Sequence, residues 1–168
     1  MNFIPTIAFA AYSGTGKTTL IEKLVISLKE QGLRVAVIKP DVHDFEIDHE
    51  GKDSWRFAKA GADITVISSA QKTAIIEQRE RSLWQNISMI HDVDLILVEV
   101  YKHESLPQIG ICRKATGKGL PEEIDHYIAI ATDVEDLVVS IPRFALDDIQ
   151  GLSKFIVENM NFFNVAEK

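Results

Sequence analysis

The sequence predicts an α/β protein with a mostly parallel sheet and helices on both of its faces, and two observations predict this class. Short apolar segments rich in Val and Ile recur along the chain, and segments with helical spacing of apolar residues separate them. Strands that are apolar throughout are buried on both faces, which is typical of parallel strands covered by helices. Ligands of such sheets bind at the carboxyl ends of the strands, so we expect the functional residues there.

The order of the elements follows from the apolar segments. The predicted strands are residues 3–10, 34–39, 62–69, 72–78, 94–99, 107–113, 126–133 and a short one near 138–144, with 62–69 and 72–78 able to pair as a hairpin. Pro5 indicates that the first strand begins near it or lies toward an edge of the sheet. The predicted helices run from Lys17 to about Gln31, over about 53–60, around 81–91, and onward from Asp147 and Asp148.

The composition restricts the class of protein. The chain has 168 residues, 46% of them hydrophobic, with 18 Lys and Arg against 25 Asp and Glu. This length is typical of one domain, predicted over residues 1–168. A net charge of −7 gives no overall positive field to attract nucleic acid or an anionic membrane. Cys112 is the only cysteine, which excludes an intramolecular disulfide and a Cys-rich zinc site.

The apolar segments are also too short for a membrane protein. None approaches the ~18 consecutive apolar residues of a spanning helix. The apolar N-terminal segment has no basic residue before its core and continues directly into a glycine-rich turn, which is typical of a buried strand rather than a signal peptide. We therefore expect a cytoplasmic protein whose partners include neither a membrane nor nucleic acid.

The motif AYSGTGKTT, residues 11–19, gives the strongest functional signal. It follows a predicted strand and opens a predicted helix, which is the context that a phosphate-binding P-loop requires. Gly14 and Gly16 allow the backbone to curl so that successive N–H groups point at phosphate oxygens. Lys17 would reach the β- and γ-phosphates, and Thr18 would place its hydroxyl on Mg²⁺. The motif predicts a three-layer P-loop NTPase fold, although Ala11 replaces the first glycine of the usual pattern.

The segment DLILVEVYK, residues 94–102, has the form of a buried strand that ends in an acid. Glu99 at the strand tip would lie beside the P-loop, where it would hold the Mg²⁺ shell through water or orient an attacking water. Asp94 lies at the other end of the strand and is assigned to a turn. Lys102 and His103 follow on the loop, either as contacts to phosphate or substrate or as solvated residues.

The polar segment 40–54 follows the second predicted strand. Its polar residues are His43, Asp44, Asp48, His49, Lys52 and Asp53. P-loop proteins keep a mobile segment that senses the γ-phosphate and metal at this position. Imidazole and carboxylate together would also suit a transition metal. A solvated acidic loop, with Asp53 or Ser54 capping the next helix, is the third interpretation.

The sequence gives a weaker indication of how the base of a nucleotide would be recognised than of how its phosphates would be bound. The N/T-K-x-D motif of many GTPases is absent. Thr132 and Asp133 end a late strand, where a loop that reads the base is expected. A carboxylate there would accept from the guanine N1 and N2 hydrogens, whereas adenine offers only its exocyclic amine. The spacing alone does not decide between GTP and ATP.

Several blocks of the sequence together resemble one family. These blocks are FAAYSGTGKTTLIEKL, VIK followed by HDFEIDHEGKDSWRFAKAGA, LILVEVYKHE and IAIATD. They are similar in order and separation to the molybdopterin-guanine dinucleotide biosynthesis protein B (MobB) family over nearly the whole chain. The GKDS…AGA block and the E-x-x-K-H-E block are much more specific than a P-loop alone.

The resemblance implies a function and a set of site residues. It implies a GTP-binding homodimer with weak GTPase activity that assists a MobA-type molybdopterin guanylyltransferase, with GTP and Mg²⁺ as ligands. It places Glu99 near the metal and makes the His43–Asp53 loop a switch-like or substrate-facing segment. The residues that it assigns to the phosphates and Mg²⁺ are Gly14, Thr15, Gly16, Lys17, Thr18 and Thr19, and Ser13 is added to this set from its place in the loop.

Two other functions fit the same motifs. A small-molecule kinase has a similar length and the same phosphate cradle, and the region 113–118 with Arg113, Lys114 and Lys118 would supply the cations of its lid. A GTP-dependent metallochaperone would use the His- and Asp-rich loop, with His43 and His49 as metal ligands. Phosphate transfer to an added acceptor favours the kinase, and stoichiometric Ni²⁺ or Zn²⁺ binding favours the metallochaperone.

Overall fold

The computed structural model describes residues 4–40, 45, 47–99 and 105–164. The strands are β1 (Thr6–Ala10), β2 (Val35–Ile38), β3 (Ile64–Ser68), β4 (Thr73–Glu77), β5 (Leu95–Glu99), β6 (Gln108–Cys112), β7 (Tyr127–Thr132) and β8 (Arg143–Phe144). The α-helices are α1 (Lys17–Glu30), α2 (Asp53–Lys59), α3 (Leu83–Ser88) and α4 (Ile149–Asn159), and short 3₁₀ turns lie at Lys114–Thr116, Ile124–His126 and Met160–Phe163.

The chain divides into two compact units. The first comprises Met1–Pro40 with Asn86–Lys168, and the second comprises Asp41–Gln85. Within the second unit, β3 and β4 pair as the antiparallel hairpin that the sequence predicts, and α2 packs against β3. The single domain expected over residues 1–168 stays a prediction.

A six-stranded sheet in the order β2-β5-β1-β6-β7-β8 forms the first unit. Each neighbouring pair in it is parallel. The predicted α/β class with a mostly parallel sheet is therefore confirmed. All six carboxyl ends lie along one edge, so the segments that follow β1, β5, β6 and β7 are neighbours there.

Alternate residues of the four central strands form the main core. Their apolar side chains face α1 and α4, and this cluster comprises Ile7, Phe9, Leu95, Leu97, Ile109, Ile111, Ala129 and Ala131 with Leu20, Leu24, Leu28, Leu152, Ile156 and Phe163. On the other face of β7, Ile130 lies in a smaller cluster with Leu120, Leu137 and Ile141. The period of two along each strand places successive side chains on opposite faces, so both faces are buried.

Hydrogen bonds between the two long helices supplement this core. The hydroxyls of Ser27 on α1 and Ser153 on α4 lie 2.9 Å apart in a buried contact. The Nε2 of Gln31 donates to the Ser153 Oγ at 2.9 Å. These bonds satisfy polar groups where the helices cross, and they fix α1, whose first turn begins the candidate site.

Three expectations about single elements need correction. The alternative that Pro5 marks an edge strand is wrong, because β1 begins at Thr6 and lies between β5 and β6. The strand expected near 138–144 is only Arg143–Phe144, since the residues before it pack as a loop against the smaller cluster. The helix around 81–91 is only Leu83–Ser88. In the part of the chain described, no helix is both long and apolar enough to cross a membrane.

A core substitution tests the packing of the sheet. Leu97 on β5 is fully buried, so Leu97→Ala removes buried methyl groups and leaves a cavity that we expect to cost about 2–5 kcal/mol of unfolding free energy. Val138 is 90% exposed, and Val138→Ala is the matched control with an expected change within about 0.5 kcal/mol. Urea unfolding measures both. Equal losses in the two variants would contradict the core assignment.

The amino ends of β2 and β5 are joined by the Arg34–Asp94 pair. The backbone N–H of Arg34 donates to Asp94 Oδ2 at 2.8 Å, and its guanidinium donates to both carboxylate oxygens at 3.2 and 3.0 Å. The hydrogen bond from the Arg34 side chain, followed by the one from its backbone, lowers the pKa of Asp94 below its ordinary value. Asp94 thus holds the end of β5 opposite to Glu99.

This lowered pKa predicts an acid-dependent stability. The contribution of Asp94 is fully present above its unfolded pKa of about 3.9 and is lost as pH falls through the lower folded value. Asp94→Asn should therefore lower the melting temperature at neutral pH, and its gap from the wild type should close at acidic pH. Melting curves at a series of pH values measure this, with the exposed Asp136→Asn as control. A gap that is the same at every pH would contradict the prediction.

Candidate functional site

The loop between β1 and α1 presents backbone N–H groups at the carboxyl edge of the sheet. Gly14 and Gly16 have φ values of 85° and 90°, a left-handed conformation that costs little only for glycine. Gly16 precedes the first turn of α1 with no side-chain cap. The Leu20 amide donates to the Gly16 carbonyl at 3.0 Å, so the N–H groups of residues 17–19 have no backbone acceptor among the described residues. Such amides at a helix N-terminus bind anions.

Thr15 stabilises the turn from inside the loop. Its side chain is buried, and its Oγ1 donates to the Tyr12 carbonyl at 2.9 Å. Its own N–H points to the same carbonyl at 3.4 Å. The Thr15 hydroxyl is therefore committed to the loop, whereas Ser13 and Thr19 are exposed.

Three of the predicted residues meet at the end of β5. In the strand register Glu99 lies beside Phe9 of β1. Its Oε1 lies 3.4 Å from the Nζ of Lys17 and accepts from the Thr18 hydroxyl at 3.4 Å. The side chains of Lys17 and Glu99 are only 17% and 15% exposed, so the pair is largely shielded from solvent.

The oxygen atoms of this group suit a magnesium ion. Mg²⁺ prefers hard oxygen ligands and is usually held by one or two protein groups together with waters and substrate phosphates. The Thr18 hydroxyl and the Glu99 carboxylate supply such oxygens next to the loop. The residues present therefore fit Mg²⁺: Thr18 would be a direct ligand, and Glu99 would be a direct or water-mediated one.

Arg113 contacts the same loop from the end of β6. Its Nε donates to the Thr15 carbonyl at 2.7 Å, and its Nη2 lies 3.0 Å from the point where a Cβ on Gly16 would be. From the sequence, Arg113 was expected only as a cation of a kinase lid, and its contact with the loop was missed. Its place directly after an apolar strand, at the carboxyl edge, is the signal that would have found it.

A cavity of about 740 Å³ lies beyond Arg113 at the ends of β6 and β7. Its lining includes the basic residues Arg113, Lys114 and Lys118, the acidic residues Glu122, Glu123 and Asp125, and the apolar residues Leu120, Ile124, Val134 and Leu137. The Nζ of Lys118 lies 5.8 Å from the ring centre of Tyr12 in the phosphate loop. The cavity and the loop are therefore neighbours.

Thr132 and Asp133 lie at the end of β7, but they differ in what their side chains do. The Thr132 hydroxyl is buried, accepts from the Val134 amide at 3.0 Å and lies 3.1 Å from the Cys112 sulfur. Asp133 is exposed, and its Oδ1 accepts from the Lys114 amide at 2.6 Å. Asp133 thus holds the backbone of Lys114 in place. The acidic residues that line the cavity are Glu122, Glu123 and Asp125.

The structure reaches only part of the segment 40–54. His43 and Asp44, like Lys102 and His103, lie outside the described residues. Asp48 accepts from the His49 amide at 2.9 Å. Helix α2 begins after Lys52 without a side-chain cap, so the interpretation of Asp53 or Ser54 as its cap is wrong. Among the described residues no group of three His, Cys, Asp or Glu side chains could hold a metal ion.

The sheet order, the loop after β1 and the acid at the end of β5 together define the class of protein as an α/β fold that is consistent with a P-loop NTPase. The chain belongs to the MobB family, since the family model for molybdopterin guanine dinucleotide synthesis protein B matches residues 6–133. The resemblance found in the sequence blocks is therefore confirmed.

Individual relatives agree with this assignment. A molybdopterin-guanine dinucleotide biosynthesis adapter protein of Escherichia coli is 41% identical, over 94% of each chain. One of Haemophilus influenzae is 35% identical, over 98% of this chain and 94% of its own. A crystal structure of Bacillus subtilis MobB covers 92% of this chain and 97% of its own, with a TM-score of 0.75 and 26% identity.

Alanine at the two loop glycines tests the geometry of the loop. A Cβ on Gly14 would meet nothing within 4 Å, whereas one on Gly16 would lie 3.0 Å from Arg113 Nη2. Both positions have positive φ, so each substitution should cost about 1–2 kcal/mol, and Gly16→Ala should cost more than Gly14→Ala. Urea unfolding of the two variants measures this. A Gly14→Ala variant that is as destabilised as Gly16→Ala would contradict the described contact.

Proposed function

We propose that this chain is a GTP-binding adapter in the biosynthesis of molybdopterin guanine dinucleotide, which works with Mg²⁺ and assists a MobA-type guanylyltransferase. One observation carries the GTP part of the proposal: the unpaired amides of the phosphate loop lie next to a cavity large enough for a nucleoside. The names of the relatives carry the pathway.

The phosphates are assigned to the loop and to Lys17. The N–H groups of residues 16–19 would donate to phosphate oxygens, and the positive end of the α1 dipole would favour their charge. The Nζ of Lys17 lies within 3.4 Å of Glu99, and on binding it would exchange this carboxylate for the β- and γ-phosphates. Mg²⁺, held by Thr18 and Glu99, would neutralise part of the triphosphate charge.

The base is assigned to the cavity. Two of its lining residues, Arg113 and Lys118, lie against the phosphate loop. A nucleotide with its phosphates in the loop would place its base in this cavity, which Glu122, Glu123 and Asp125 also line. Guanine has N1 and N2 hydrogens for a carboxylate, whereas adenine has only its exocyclic amine, and this difference favours GTP over ATP.

Weak hydrolysis, a homodimer and a cytoplasmic location complete the proposal. In the proposed complex Glu99 holds Mg²⁺ together with Thr18, whose hydroxyl it already contacts, so its carboxylate would stabilise the metal shell more readily than it would activate water. An adapter needs to hold its nucleotide rather than turn it over quickly. The transferase, the homodimer and the location come from the family resemblance and the sequence.

The two alternatives make different demands on the same structure. A kinase would use Arg113 and Lys118, which do lie against the phosphate loop, but it would favour ATP and pass phosphate to an acceptor. A metallochaperone would bind Ni²⁺ or Zn²⁺ through the segment that contains His43 and His49.

Binding of fluorescent GTP and ATP analogues with Mg²⁺ tests the proposal. We expect GTP to bind more tightly than ATP. Lys17→Ala should weaken GTP binding about 10- to 100-fold, because it removes a charged contact worth about 1.5–3 kcal/mol. Lys154 is exposed on α4, and Lys154→Ala removes the same charge as a control that should leave binding unchanged. A preference for ATP would contradict the GTP assignment and favour the kinase.

A further inference from the structure

The contact between Arg113 and the phosphate loop has a consequence for the peptide group that follows Thr15. The Nε of Arg113 holds the Thr15 carbonyl at 2.7 Å. This carbonyl and the N–H of Gly16 belong to one planar trans peptide, so they point in opposite directions. Fixing the carbonyl toward Arg113 therefore fixes the Gly16 N–H on the other side.

Among the described residues, the hydrogen bond from Arg113 is the one that holds the peptide group between Thr15 and Gly16. The φ of 90° at Gly16 lies in a region that glycine enters easily, and glycine loses more conformational freedom than any other residue when it is fixed. A donor on the neighbouring carbonyl lowers this cost. Arg113 also lies over the Gly16 backbone, with Nη2 at 3.0 Å from its Cβ position. The guanidinium therefore restrains the loop at two points.

The guanidinium of Arg113 has no acid as its direct partner among the described residues. Within the described ranges, its hydrogen bond is to a neutral carbonyl, and it takes part in no ion pair with a carboxylate. The same cavity is lined by Lys114 and Lys118 and also by Glu122, Glu123 and Asp125. The charges of its lining therefore balance, and Arg113 is the cation that donates to the backbone of the loop. Cations gathered around anion-binding amides favour the binding of a multiply charged anion.

We propose that Arg113 is a positioning residue for polyphosphate binding, which orients the Gly16 amide through the Thr15 carbonyl and adds positive charge beside the loop. The proposal rests on the proposed function as far as GTP is the ligand, but it applies to any polyphosphate in this loop. It also explains how the cavity and the loop are linked, because Arg113 forms part of both.

The test compares three ligands in the full chain: Mg²⁺-GTP, inorganic tripolyphosphate and guanosine. Arg113→Ala should weaken binding of GTP and of tripolyphosphate about 10- to 100-fold, as expected for loss of a charged hydrogen-bond donor. Guanosine has no phosphate, so the affinity of Arg113→Ala for guanosine should lie within twofold of the wild-type affinity. Lys154→Ala removes one exposed positive charge on α4 and should leave the affinities for all three ligands unchanged.

Arg113→Lys separates charge from orientation. Lysine keeps the charge but lacks the rigid planar fork of donors, so it should restore only part of the affinity that Arg113→Ala loses. Melting curves establish that the variants fold, and Arg113→Lys carries the test if Arg113→Ala does not fold.

Several results would overturn the proposal. The first is that Arg113→Ala binds GTP and tripolyphosphate with affinities within twofold of the wild type. The second is that Arg113→Ala loses as much affinity for guanosine as for GTP. The third is that Arg113→Lys binds GTP and tripolyphosphate as tightly as the wild type does. If the wild type binds tripolyphosphate but prefers ATP to GTP, the proposed function fails and the Arg113 proposal is decided by tripolyphosphate. If the wild type binds none of the three ligands, both are contradicted.

Discussion

The parallel arrangement of β5, β1 and β6 is the constraint on which the candidate site depends. Since these strands run in one direction, their carboxyl ends bring Glu99, the phosphate loop and Arg113 to one edge of the sheet. The central position of β1 fixes where α1 begins, and the core between the sheet and the two long helices holds that helix in place. The positive potential of the α1 N-terminus is directed at this edge as a result.

Two cations contact this loop in different ways. Lys17 is paired with Glu99, so an incoming phosphate would compete with a carboxylate for it. Arg113 is bound to a backbone carbonyl and keeps its charge available. We infer that Lys17 responds to the ligand and its metal, whereas Arg113 keeps the loop in shape before the ligand arrives. This division of roles suits an adapter that holds a nucleotide rather than a fast hydrolase.

The sequence predicted the fold class because strands and helices are marked by local patterns. The positions of the loop and of Glu99 could be predicted for the same reason, since the loop follows an apolar strand and Glu99 ends one. Their roles toward a ligand stay predictions. The role of Arg113 in the loop was missed because it depends on β1 and β6 being neighbours, and strand order is not a local property. The acids that line the cavity were missed because the segment 114–126 folds back through 3₁₀ turns that have no apolar period. Asp133 was expected to face a base, and this stays a prediction; the structure adds that one of its oxygens accepts from the Lys114 amide.

A crystal structure with Mg²⁺ and a non-hydrolysable GTP analogue would test the central claim most directly. The account predicts phosphate oxygens within hydrogen-bond distance of the amides of residues 16–19, with Lys17 Nζ moved from Glu99 to the β- and γ-phosphates. It also predicts the base in the cavity that Lys118, Glu122, Glu123 and Asp125 line. Phosphates bound away from the loop, or a base outside this cavity, would contradict the account.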